Sequence, residues 1–112
     1  MIVHEKKPDG GYRETTYDKT GQVIKYESTN NQPHYSSYEV EYKYNNDGTH
    51  SERTKSWSLN HSRNELEVFD KNNRLIRKKD FDSNDVVKYT VTPKYDKDGS
   101  VIKNDTIWNK QK

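Results

Sequence analysis

Apolar and polar residues alternate most clearly over 38–44. Tyr38, Val40, Tyr42 and Tyr44 fall on one parity, with Glu39, Glu41 and Lys43 on the other. Period two marks a strand with one buried face. Val87, Tyr89, Val91 and Tyr95 repeat the pattern, although Pro93 within that run cannot donate to a ladder and is expected at an edge or a bulge. Turn chemistry separates such runs. Tyr17-Asp18-Lys19-Thr20-Gly21-Gln22-Val23-Ile24-Lys25 recurs as Tyr95-Asp96-Lys97-Asp98-Gly99-Ser100-Val101-Ile102-Lys103. Weaker copies are Tyr44-Asn45-Asn46-Asp47-Gly48-Thr49 and Phe69-Asp70-Lys71-Asn72-Asn73-Arg74-Leu75-Ile76-Arg77. The leading aromatics stand at 17, 44, 69 and 95, in steps of 27, 25 and 26. An Asp opening a turn accepts from backbone two residues on, and Gly takes the left-handed position of a bulged reversal. Asn73 replaces that Gly in one copy, as Asn tolerates the left-handed region better than other non-Gly residues. Asp18, Gly21, Gly48, Asp70, Asn73, Asp96 and Gly99 are therefore the expected turn residues, and one repeat is one β-hairpin.

The hairpins are expected over 12–29, 38–58, 65–82 and 86–108. A short strand candidate at 2–5 and the turn Pro8-Asp9-Gly10-Gly11 precede them. The expected fold is all-β: one domain, 1–112, an antiparallel meander of about eight strands in four hairpins. Closure into a barrel needs a continuous apolar inner face, and 22–29 and 49–58 offer little of one. The expectation is an open twisted sheet or an incompletely closed barrel, with 109–112 frayed.

Composition supports strands and thins the core. Ala, the best helix former, is absent, whereas Tyr, Val, Thr and Ile are common. Leu, Ile, Val and Phe make up only 18 of 112 residues. Nine Tyr and two Trp add large amphipathic surface, and a net charge of +2 removes the self-repulsion that accompanies disorder. The basic groups Arg74, Arg77, Lys78 and Lys79, and Lys103, Lys110 and Lys112, read as solvated sheet edge and terminus. There is no cysteine, so disulfides, thiolate metal sites and a cysteine nucleophile are excluded. No apolar run reaches the ~18 residues of a membrane span, and no signal-peptide core opens the chain. A cytoplasmic chain, or a secreted or cell-surface one whose signal has been removed, fits equally. Oligomeric state stays open.

The quoted turns resemble the YD repeat of rearrangement-hotspot (Rhs) and teneurin-like proteins: aromatic-Asp, two variable residues, Gly, one variable residue, two apolar residues. Tyr17-Asp18 with Gly21, Val23 and Ile24 fits throughout, as does Tyr95-Asp96 with Gly99, Val101 and Ile102. Phe69-Asp70 with Leu75 and Ile76 departs only at Asn73. Tyr44-Asn45 keeps Gly48 but is followed by His50 and Ser51. The resemblance implies consecutive hairpins stacked into a spiralling sheet. Large members of that family enclose a toxin domain, which four units cannot do, so only the hairpin unit carries over.

Candidate chemistry is sparse. His4, His34, His50 and His61 lack ligand-like spacing, and Asp18, Asp47, Asp96 and Asp98 lack the remaining ligands of a calcium loop, so no metal or cofactor is expected. No nucleophile elbow, paired-carboxylate arrangement or phosphate-cradling loop appears, so no enzymatic role is expected. The sequons at Asn60 and Asn104 are of a kind common by chance in an Asn- and Ser-rich chain. The feature that points to binding is aromatic: Tyr35, Tyr38, Tyr42 and Tyr44 around Val40, with Trp57, Arg53 and Lys55 in the same hairpin. Such residues either cover a thin sheet or form a recognition face. The expected partner is another protein, in one version a toxin neutralised by an immunity-like chain. A glycan ranks second. Single-stranded nucleic acid is disfavoured because Glu39, Glu41 and Glu52 dilute the basic charge. A structural repeat within a secreted or surface protein is the alternative.

Overall fold

The computed structural model describes residues 1–109. It contains nine strands: β1 (Ile2–Lys6), β2 (Tyr12–Tyr17), β3 (Val23–Asn30), β4 (Ser36–Tyr44), β5 (His50–Trp57), β6 (Ser62–Phe69), β7 (Leu75–Phe81), β8 (Val87–Tyr95) and β9 (Val101–Trp108). Sequence neighbours are sheet neighbours, giving one antiparallel meander in the order β1 to β9 that does not close into a barrel. The candidate strand at 2–5 is real and pairs along β2, from Ile2 opposite Thr16 to Lys6 opposite Tyr12. That raises the strand count from about eight to nine.

Six of the connections share one backbone plan. Turns 7–11, 18–22, 45–49, 70–74, 82–86 and 96–100 each have the first residue's N–H donating to the fifth's carbonyl and the fourth's N–H donating to the first's carbonyl. The fourth residue is left-handed in every case: Gly10, Gly21, Gly48 and Gly99 at φ of 86–89°, Asn73 at 63° and Asp85 at 62°. Four turns add the same side-chain brace. The Oδ1 atoms of Asp18, Asp70, Asp82 and Asp96 each accept from the N–H groups two and four residues on, at 2.8–3.0 Å. The turn residues expected from sequence occupy these positions. Phe81-Asp82-Ser83-Asn84-Asp85-Val86-Val87 is a further copy that the 26-residue step passes over.

By internal contacts the chain divides into two compact units, Met1–Lys43 with Glu52–Arg63, and Tyr44–Ser51 with Asn64–Lys112. In the first, the register Tyr26 opposite Val40 and Ser28 opposite Tyr38 places Val40 under aromatic cover; the rings of Tyr26 and Tyr38 meet edge to face at 6.2 Å. Val40, 1% exposed, is the one fully buried apolar side chain among the described residues. In the second unit, polar groups do much of the holding. Glu65, 5% exposed, receives Lys78 Nζ at 3.2 Å, and Tyr89 Oη donates to Asp80 at 2.7 Å. Aromatic rings also pack there: His50 stacks on Phe69 at 4.9 Å, and Tyr89 meets Trp108 at 4.6 Å.

Pro93 lies in β8 opposite Asn104, beside a register shift between Lys94 and Tyr95. The β7–β8 pairing ends at Lys78 opposite Val91, so Pro93 sits beyond the ladder where its missing N–H would have been needed. Asn109 is not frayed. Its N–H donates to Lys88 O at 2.9 Å and its Nδ2 to Val87 O at 2.7 Å. The expectation of fraying at 110–112, with Lys110 and Lys112 of the basic tail, lies outside the described residues.

Candidate functional site

One face of the first unit holds an open concavity of about 410 Å³, lined among others by Tyr12, Lys25, Glu27, Tyr35, Glu39 and Trp57. Its floor follows from strand alternation and register. Glu14 stands opposite Glu27, and Glu27 opposite Glu39, so three carboxylates form a row across β2, β3 and β4. Like charges directly opposite repel, and donors offset them one by one. His4 Nδ1 lies 3.1 Å from Glu14 Oε2. Tyr12 Oη donates to Glu27 Oε2 at 3.2 Å. Lys25 Nζ bridges Glu27 Oε1 at 2.9 Å and Glu39 Oε1 at 3.3 Å.

Protonation equilibria reflect this arrangement. The Lys25 pair with Glu27 and then Glu39 holds the ammonium well above its ordinary range. Lys25 in turn holds the Glu27 carboxyl below its ordinary value, and the negative charge of Glu27 raises the Tyr12 phenol. The floor is thus a hydrogen-bonded polar network in which two of the three carboxylates share one ammonium, Lys25.

The aromatic component is a pair. Tyr35 and Trp57 approach to 6.1 Å between ring centroids at an interplanar angle of 42°, and are 53% and 48% exposed. Tyr35 lies in the connection before β4, and Trp57 closes β5. Amphipathic rings standing half in water beside a polar floor are equipped to cover a ligand face while hydroxyl and carboxylate groups fix its orientation.

Of the residues singled out in the sequence, Tyr35, Tyr38, Lys55 and Trp57 line this concavity. Tyr42 does not. Arg53 is half-buried in β5 and is not among the lining residues. Tyr44 belongs to the second unit, where its ring lies 6.0 Å from that of His50. Tyr12, Lys25, Glu27 and Glu39 were not singled out for binding. The signal for them was Lys25-x-Glu27, one face of one strand, but joining it to Tyr12 and Glu39 requires the register. No group of three or more metal-ligating His, Asp or Glu side chains occurs among the described residues. Comparison with protein-family models, curated proteins and solved structures finds no match to this chain.

Proposed function

We propose that the chain is a non-catalytic binding module that engages a protein partner through the concave face of its first unit. The observation that carries this reading is the Tyr35–Trp57 pair, half-exposed above the Lys25–Glu27–Glu39 network. Large rings held at one place give contact area at small entropic cost, and such residues dominate binding energy at protein interfaces. An immunity-like role, neutralising a toxin encoded beside it, is the specific form of the proposal. The test is calorimetric titration of the purified product of the adjoining gene into the wild-type chain and into Trp57→Ser and Tyr35→Ser. Binding lost in both variants, with the thermal midpoint lowered by no more than a few degrees, is expected. A complex whose affinity neither variant changes would overturn the reading.

A second reading rests on a different observation. Six turns with one backbone plan support membership of a YD-type repeat array, in which each unit serves as a spacer in a secreted or surface protein. In-frame continuation of the gene into further such turns would favour it.

A further inference from the structure

We infer that β9 is a self-complementary edge on which a second copy of this chain docks, antiparallel and centred on Asn104. Among the described residues, β9 has a neighbouring strand on one side only. It is eight residues long, and its apolar side chains stand in water: Val101 54%, Ile102 66% and Ile107 70% exposed. A long edge strand with exposed apolar residues is a template for strand addition.

The ladder fixes which groups face outward. Asn109 N–H donates to Lys88 O, and Trp108 stands opposite Tyr89. In an antiparallel ladder every second residue bonds the same neighbour. Ile107, Asp105 and Lys103 therefore turn their backbone groups to β8, while Thr106, Asn104 and Ile102 turn theirs away. Two β9 strands related by a twofold axis at Asn104 would exchange both bonds between the two Asn104 residues, then between Ile102 and Thr106.

Charge selects this register over its neighbours. Centring on Asn104 sets Lys103 of each copy opposite Asp105 of the other. Centring one residue earlier sets Lys103 against Lys103, and one residue later Asp105 against Asp105, both repulsive. The chosen register also brings Ile107 over against Val101 of the second copy. Within one chain Asp105 already holds Lys103 at 3.2 Å and Lys94 at 3.4 Å, so its carboxylate lies on the face that the second Lys103 would reach. The opposite edge, β1, has only five residues, and centring on His4 sets Glu5 against Val3. A twofold, self-complementary contact closes as a dimer and does not propagate.

Sedimentation velocity of the 112-residue chain across a wide concentration range tests this. A reversible dimer is expected. Lys103→Asp and Asp105→Lys, each placing like charges opposite at two symmetric positions, should weaken it by about tenfold or more. The double swap Lys103→Asp/Asp105→Lys should restore it. An equimolar mixture of the two single variants should form a mixed dimer, with circular dichroism confirming the fold of each variant. A wild-type chain that stays monomeric, or a dimer indifferent to either single swap, would overturn the inference. If a single variant does not fold, the double swap decides: its failure to dimerise while folded would count against the register.

Discussion

Asp82 and Val86 are tied by two hydrogen bonds that run opposite ways. Asp82 N–H donates to the Val86 carbonyl at 2.9 Å, and Val86 N–H donates to the Asp82 carboxylate at 3.0 Å. The pairs Asp18–Gln22, Asp70–Arg74 and Asp96–Ser100 carry the same double tie. The reversal is therefore enforced by side chain as well as backbone. Asp82→Ala should lower unfolding free energy by about 1 kcal/mol in urea titration. Asp82→Asn should lower it by less, since an amide oxygen still accepts. Equal losses for the two variants would show that acceptance by Oδ1 is not what matters.

This turn also shows where the sequence could and could not be read. Turns with Gly at the left-handed position announce themselves; Phe81-Asp82 does not, because Asp85 stands in for Gly and because two strands, not one, separate the copies that a 26-residue step detects. The alternation at 38–44 placed β4 and its buried Val40 correctly. The site was only half legible. Tyr35 and Trp57 come from a connection and a strand end, where alternation along β4 says nothing. Lys25 acquires its role from Glu39, a diagonal neighbour across a register that depends on the length of the 31–35 connection.

Left-handed residues give a graded test. Asn73→Gly should stabilise by roughly 0.5–1 kcal/mol, removing the steric penalty of φ at 63°. Gly21→Ala should destabilise by about 1–2 kcal/mol through backbone conformation alone, because a Cβ there meets nothing within 4 Å. Gly48→Ala should be worse, since its Cβ would also sit 3.0 Å from Lys71 Cβ. Gly11→Ala should exceed both: its Cβ would fall 2.3 Å from the Thr29 carbonyl oxygen, a backbone atom that cannot swing away. Thermal midpoints in the order Asn73→Gly, wild type, Gly21→Ala, Gly48→Ala, Gly11→Ala check the series.

Stability should fall at both ends of the pH scale. Asp9 is depressed chiefly by the Gly11 N–H, Asp18 by Thr20, Asp47 by Thr49, Asp70 by the Arg74 N–H and Glu27 by Lys25. A carboxyl depressed by folding contributes stability above its unfolded value, here 3.8 for Asp and 4.5 for Glu, and loses it as pH falls through the folded one. Lys25, raised chiefly by Glu27, and the phenols of Tyr12 and Tyr89, raised chiefly by Glu27 and Asp80, act in the opposite sense. Their contribution is complete below the unfolded values of 10.5 and 10.0 and disappears as pH rises beyond them. Urea midpoints should therefore be flat between about pH 5 and 9 and decline outside that window. A midpoint that rises on acidification below pH 4 would contradict the turn assignments.

Lys25 has a specific electrostatic task. Lys25→Met leaves Glu27 opposite Glu39 without the shared cation, and should destabilise by about 0.5–1 kcal/mol, a small value because the group is partly solvated. Glu39→Gln in the Lys25→Met background should recover most of the loss. Failure of that rescue would place the role of Lys25 in packing of its aliphatic stem.

Burial separates the residues that hold the first unit from those offered to a partner. Val40 is 1% exposed and its removal leaves a void between Tyr26 and Tyr38, so Val40→Ala should cost about 1.5–3 kcal/mol. Trp57 is larger but 48% exposed, and Trp57→Ser should cost about 1 kcal/mol or less. Denaturant curves on the two variants measure the contrast directly. A Trp57→Ser chain as unstable as Val40→Ala would make the indole a structural cover, and the concavity beneath it would lose its claim as a binding face. A Trp57→Ser chain nearly as stable as wild type that has also lost partner binding would make the indole a recognition group.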